Sequence, residues 1–410
     1  MSNEEKLVRM LKYVSEHNDF YKKRIKEYGI TNPLDITQWP ILTRKELQEN
    51  RYNMFSDGYK LKYFNQQLRR QSSSGSTGTP VNVYWDYKDW YASNMCLWRK
   101  RLEWYGLHPN DKYVMFTLNA FNIKNDGETV YYINHPMNIL SVNVSLIHNE
   151  RGYEKLVDII NDFEPKWLYV QPFVLNRLIR AYKRMGKIPP KSLKYIETIG
   201  ELLSSDLRRR AVELFNVPLA NMYGSEEMNG IAYECLENYM QVLADNVFVE
   251  IANEDEISYC GDGESIITNL NNYAMPLIRY NQGDIITTKS FNIDSNNINV
   301  IYSIHGRKLQ EVDFGDFSIN AFAFSEVIAT VNNQLDDVII NFQFTYSKSS
   351  GRLICKLVLD PERKAWFPSV QVALIDILKS KFSIHINNCD IILEKFYLKC
   401  LKQKTITVEE

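Results

Sequence analysis

The stretch QSSSGSTGTPVNVYWD, Gln71 to Asp86, is where residue types and spacing first suggest chemistry: an unbroken serine, glycine and threonine run, Ser72 to Thr79, closed by Pro80 and followed at once by an alternating, β-prone segment. Such a run supplies slack if it is a linker. If it is a turn between strands, its exposed N–H groups and hydroxyls can wrap a phosphate, because glycine lets backbone approach a ligand closely. A nucleoside triphosphatase loop of the form G-x-x-x-x-G-K-[ST] opening a helix is excluded. Gly75 and Gly78 are too close, no lysine follows, and Val81–Trp85 reads as a strand. The setting inside a predicted domain favours the anion-holding turn.

The elements around the loop point to an α/β protein. KLVRMLKYVSEHNDFYKKRIKEYG places Leu7, Met10, Leu11 and Val14 at helical spacing and stops at Gly29, which predicts an N-terminal helix. Thr43, with Glu46 three residues on, forms a capping box that opens another helix. The segment from Gly152 to Gly186 reads as helix, short strand, helix, and that from Ser204 to Gly224 as helix, turn, strand. From about Asn246 the period changes to two, interrupted by turn residues, as in antiparallel strands. A final stretch, roughly Lys308 to Glu410, has strands around VIINFQFTY, GRLICKLVLD and CDIILEKFYL and a helix over VQVALIDILKSKF, enough for a small α+β domain.

Composition sets the limits. The 410 residues are 45% hydrophobic and 24% charged, enough to bury a large core. A formal net charge of -2 lacks the basic surplus that would neutralise a phosphate backbone, so nucleic acid is not an expected partner. The six cysteines lie far apart with no C-x-x-C pair, and the start lacks a basic and apolar leader. Reduced thiols in a cytoplasmic protein are the expectation. No apolar run approaches the roughly 18 residues of a membrane span.

SSGSTGTP, Ser73 to Pro80, resembles the phosphate loop of adenylate-forming enzymes, the superfamily of acyl-CoA synthetases, peptide-synthetase adenylation domains and luciferases. Further blocks follow in the right order: Ile199-Gly200-Glu201; MYGSEE, Met222 to Glu227; MPLIRYNQGD, Met275 to Asp284; and HGRKLQEVDFG, His305 to Gly315. FYKKRIKEYG, WPILTRKEL, YGSEE and AMPLIRY resemble the phenylacetate-coenzyme A ligase group and its relatives from polysaccharide biosynthesis clusters. The resemblance covers nearly the whole chain. It implies a large multi-subdomain adenylating domain, residues 1–305, and a small mobile α+β domain, residues 306–410.

Its implied chemistry begins with attack of a small carboxylic acid on the α-phosphorus of ATP, giving acyl-AMP and pyrophosphate. The acyl group then passes to an acceptor, coenzyme A or an amine or hydroxyl. By the same resemblance, Ser73, Ser74, Gly75, Ser76, Thr77 and Gly78 cradle phosphates and Glu227 holds Mg2+. Gly200 and Glu201, with Asn221 and Met222, line the adenine beside Tyr223 and Gly224, and Asp284 accepts from the ribose hydroxyls. Arg307 contacts ribose or phosphate at the hinge, and Lys404 is the C-terminal catalytic lysine, with Lys402 competing. Read singly, Glu227 is a solvated loop glutamate, Asp284 a turn aspartate, Tyr223 a core tyrosine and the lysines a solvated tail.

The sequence also departs from the pattern. Thr79 stands where a lysine is frequent, Glu226 where a threonine is usual, Lys308-Leu309 where the hinge acid is expected, and Gln403 where a glycine precedes the lysine. Glu226 either adds negative charge beside the triphosphate or helps hold magnesium. Cys235 matches one ligand of a metal cluster found in some relatives, but Gln241 replaces an expected histidine, so no structural zinc is expected. These departures keep open a non-catalytic nucleotide-binding protein. YVMFTLNAFNIKND and WLYVQPFVLNRL are expected pocket walls for the acid.

Overall fold

The computed structural model describes residues 2–73, 81–117, 130–147, 150–253, 256–293, 296–307, 311–314, 318–335, 338–382, 389–393 and 406–409. The chain is a mixed α/β structure in two units: residues 1–109 with 220–308, and residues 110–219 with 309–410.

In the first unit the expected N-terminal helix is two helices, Asn3–His17 and Asp19–Glu27. Asn18 causes the break. It has extended backbone, ends the first helix and accepts from the Tyr21 N–H to cap the second. Its amide donates to Met54 O at 2.8 Å and to Ser56 Oγ at 3.2 Å, so a fully buried asparagine is satisfied only with the helix interrupted. Leu7, Met10, Leu11 and Val14 face the core as their spacing predicts. The Thr43–Glu46 capping box is present and opens the helix Arg44–Glu49.

The unit's sheet is antiparallel throughout, in the order Ile257–Ser258, Val247–Ala252, Gly261–Asn269, Tyr280–Ile293, Asn296–Arg307, Met240–Val242, Asn229–Glu234, Leu219–Ser225. A separate antiparallel pair, Arg69–Ser72 with Asn82–Trp85, flanks the serine-rich loop. The helix Tyr87–Tyr105, capped by Asp86 and stopped by Gly106 with φ 62°, was not foreseen. Aromatic and apolar residues spread round it and blur the period that betrays a helix.

The second unit has strands in the order Tyr195–Ile199, Trp167–Val170, Tyr113–Thr117, Ile139–Asn143, Tyr131–Asn134. The first four pair in parallel and the last antiparallel. Helices Glu150–Phe163, Pro172–Met185 and Ser205–Phe215 contribute Leu156, Val157, Leu175, Leu178 and Ala211 to its core. The foreseen helix, strand, helix and helix, turn, strand patterns are both present.

The C-terminal part of this unit has strands in the order Cys389–Leu393, Arg352–Leu359, Ile339–Ser347, Ile406–Glu409. Helices Ala321–Gln334 and Phe367–Phe382 and the core residues Phe324, Phe344 and Leu374 complete it. The lysine-rich tail thus runs into a strand, Ile406–Glu409, that pairs in parallel with Ile339–Ser347.

Candidate functional site

Within the first unit, the ends of several strands gather the acidic residues of the matched blocks. Leu219–Ser225 and Asn229–Glu234 form a hairpin with a register shift between Tyr223 and Gly224. A Cβ on Gly224 would lie 2.3 Å from the Asn229 carbonyl oxygen, so this turn admits no side chain there. The turn sends its two adjacent glutamates in different directions. Glu226 is exposed and accepts from Gln71 Nε2 at 3.3 Å. Glu227 is only 3% exposed, with Arg44 Nη1 3.5 Å away and the Tyr280 hydroxyl donating to it at 3.4 Å.

Arg44 is positioned by backbone pairing. Leu42 N–H donates to Arg279 O at 2.9 Å and Asn281 N–H to Leu42 O at 3.0 Å, which stitches the segment before the Arg44–Glu49 helix to the start of the Tyr280–Ile293 strand. Arg44 Nη2 in turn donates to Ser73 Oγ at 3.0 Å. Ser73 and Val81 close the neck of the serine-rich loop: Ser73 N–H donates to Val81 O, and Val81 N–H to Ser73 Oγ, both at 2.9 Å. Ser74, Gly75, Ser76, Thr77 and Gly78 lie outside the described residues.

A second group centres on Asp284. Tyr223 Oη donates to Asp284 Oδ2 at 2.7 Å, and Gln282 Nε2 donates to the same oxygen at 2.9 Å and to Tyr223 Oη at 2.6 Å. Burial pushes the Tyr223 phenol well above its usual pKa, and the Asp284 charge and hydrogen bond push the same way. The phenol therefore stays protonated and serves as a donor. Asp284 is 8% exposed, held on one oxygen by two neutral donors. Arg307 lies opposite Asp284 in the strand pairing.

The remaining expected residues are spread wider. Asn221 N–H donates to Glu234 Oε2 at 2.7 Å, and Met222 pairs with Tyr233, both in the first unit. Gly200, with φ 78°, and Glu201 belong to the second unit, where Glu201 Oε2 accepts from Phe173 N–H at 3.1 Å at the start of the Pro172–Met185 helix. Lys402, Gln403 and Lys404 lie outside the described residues, as does YVMFTLNAFNIKND beyond Thr117. Three participants escaped sequence reasoning: Arg44, Tyr280 and Gln282. The latter two occupy alternate positions before Asp284, the spacing at which strand residues share a face, and that signal was present in RYNQGD.

The donor set suits a hard cation shared with phosphate. Mg2+ is usually bound by one or two protein carboxylates, water and substrate phosphates rather than by an all-protein cage. Glu227 is such a carboxylate, buried beside the neck of the serine-rich loop. Among the described residues, no three His, Cys, Asp or Glu side chains gather as a self-sufficient metal site. Cys235 is buried at a turn, its N–H donating to Tyr239 O.

The family model described as "AMP-binding enzyme" matches residues 71–265. The phenylacetate-coenzyme A ligase of Pseudomonas putida is 25% identical over 297 residues, covering 68% of this chain and 64% of its own length. That of Escherichia coli is 25% identical over 293 residues, covering 67% and 64%. The chain therefore spans less than two thirds of the length of these curated relatives. A solved structure of 2-hydroxyisobutyryl-CoA ligase, in the postadenylation state with 2-HIB-AMP, superposes with a TM-score of 0.75 at 16% identity over 99% of this chain and 89% of that one. The chain is thus similar in sequence to phenylacetate-coenzyme A ligases and in fold to a 2-hydroxyisobutyryl-CoA ligase, with the AMP-binding enzyme match lying over residues 71–265.

Proposed function

We propose that the protein is an adenylate-forming ligase that activates a small carboxylic acid with ATP and transfers the acyl group to coenzyme A. The observation that carries this reading is the juxtaposition of buried Glu227 with the neck of the serine-rich loop, in the unit whose sheet also carries Asp284. In this reading Ser73 to Gly78 hold the β- and γ-phosphates, and Asp284, oriented by Tyr223 and Gln282, accepts from the ribose hydroxyls. Asn221 and Met222 border the adenine. Glu227 would hold Mg2+ together with the phosphates, and the ion would supply charge neutralisation for the pyrophosphate. The acid's carboxylate attacks the α-phosphorus and pyrophosphate leaves; coenzyme A thiolate then attacks the acyl carbon and AMP leaves.

The domain scheme belongs to the same proposal: residues 1–305 bind nucleotide and acid, and residues 306–410 bring Lys404 to the adenylation step, with Arg307 at the junction.

Pyrophosphate–ATP exchange across a panel of aliphatic and aromatic acids, with magnesium, tests the first half-reaction. At least one acid is expected to support exchange that vanishes without it. Nucleotide binding with no exchange for any acid would favour a non-catalytic nucleotide-binding protein. Adding coenzyme A to the active acid and weighing the product tests the second half: a thioester is expected, and acyl-AMP consumed only by an amine or hydroxyl would replace coenzyme A as acceptor.

A further inference from the structure

We infer that Arg44 is the cation that receives the pyrophosphate end of ATP, an assignment that rests on the adenylating reading and extends it to a residue outside the five ordered blocks. Its guanidinium lies between the two groups that frame that end. Nη2 is 3.0 Å from Ser73 Oγ at the loop neck, and Nη1 is 3.5 Å from a Glu227 oxygen. Its side chain is 19% exposed, while that of Glu227 is 3% exposed.

The hydrogen bonding of Ser73 points the same way. A hydroxyl has two acceptor lone pairs and one donor. Ser73 Oγ accepts from Arg44 Nη2 and from Val81 N–H, so both lone pairs are engaged and its proton is left to donate. A hydroxyl polarised in this way beside a guanidinium makes a donor pair for a phosphate oxygen.

Electrostatics explains why a cation is needed here. Glu227 is a buried negative charge in the region where a triphosphate must arrive, and Arg44 offsets it. The serine-rich loop contains no lysine, Thr79 standing after its second glycine. Arg44 reaches the loop from another part of the chain instead, held by the pairing of Leu42 with Tyr280. With triphosphate bound, Glu227 would hold the metal and Arg44 would face the phosphates, so that Arg44 would keep an anionic partner.

The test compares equilibrium binding of ATP and of AMP, each with excess magnesium, to wild type, Arg44→Met and Arg44→Lys, with thermal unfolding of all three. AMP lacks the β- and γ-phosphates and serves as the internal reference. Arg44→Met, which keeps the aliphatic packing, is expected to weaken ATP roughly ten- to hundredfold, as for loss of a charge-assisted contact, while AMP changes less than about threefold. Arg44→Lys is expected to recover most of the ATP preference because it retains the charge. If Arg44→Met lowers ATP and AMP affinity equally, or if both variants keep the wild-type ratio, Arg44 has only a structural role and the inference is overturned. Should Arg44→Met fail to fold, an ATP to AMP ratio for Arg44→Lys unchanged in the presence of rising salt would overturn it, and a salt-sensitive ratio would support it. Wild-type protein that binds neither nucleotide would instead overturn the adenylating reading itself.

Discussion

At the residue scale, two carboxylates of similar burial have different expected duties because their neighbours differ. Glu227 faces a guanidinium and the loop neck, whereas Asp284 accepts from the Tyr223 hydroxyl and the Gln282 amide. Glu227→Ala is therefore expected to abolish pyrophosphate–ATP exchange while sparing AMP binding. Asp284→Ala is expected to weaken ATP and AMP alike, by about 1.5–3 kcal/mol for a charge-assisted contact. Titrating the Asp284→Ala variant with 2′,3′-dideoxy-ATP checks the contact directly. Removing the ribose hydroxyls should cost wild type most of its affinity and the variant almost nothing; equal losses in both would place the ribose elsewhere.

At the element scale, the helix Tyr87–Tyr105 is fastened to the connection between the strands Gly261–Asn269 and Tyr280–Ile293 by a carboxyl that sequence reasoning passed over. Asp89, in its first turn, is buried and accepts from Tyr273 N–H at 3.2 Å. Burial pushes its pKa up to about 6; the Tyr273 N–H, Lys88 and Lys62 oppose the rise and the Asp86 charge adds to it. A carboxyl with a folded pKa above its unfolded value holds more proton in the folded state. Stability should therefore decline as pH rises from the unfolded carboxylate range, about 4, through about 6, and level off above. Denaturant unfolding at a series of pH values is expected to show Asp89→Asn losing about 1–2 kcal/mol less than wild type between those limits, with solvent screening included. Parallel pH profiles for the two proteins would contradict this account of Asp89.

At the scale of the whole molecule, each unit is assembled from two separate stretches of chain. In the second, Arg180 and Arg184 on the Pro172–Met185 helix meet Asp360 of the C-terminal part at 3.2 and 3.1 Å. The strand Ile406–Glu409, directly beyond the Lys404 region, is anchored in the C-terminal sheet. A lysine delivered from this part is expected to act only in adenylation. At about 4 Å and an effective dielectric of about 20 its charge contributes about 4 kcal/mol, roughly a thousandfold in rate. Lys404→Ala should thus cripple exchange yet still convert supplied acyl-AMP to product; finding this split in Lys402→Ala alone would move the role to Lys402.

The fold class and several of the helices and strands were legible in the sequence because they rest on local signals: apolar period, capping boxes, turn residues and contiguous motifs. The Thr43–Glu46 box and the strand after the serine-rich loop are present as expected. The break at Asn18 was not legible, since it depends on Met54 and Ser56, residues distant in sequence that satisfy a buried amide. Nor could the sequence decide which of Glu226 and Glu227 turns inward; the shift at Tyr223-Gly224 and the approach of Arg44 and Tyr280 decide it. Arg44 lies 29 positions before Ser73 and far from Glu227 along the chain, and only the pairing of Leu42 with Tyr280 brings the three together. Spacing records what neighbouring residues can do, whereas the partner of a buried charge is chosen by strand pairing between segments remote in sequence, which no local pattern encodes.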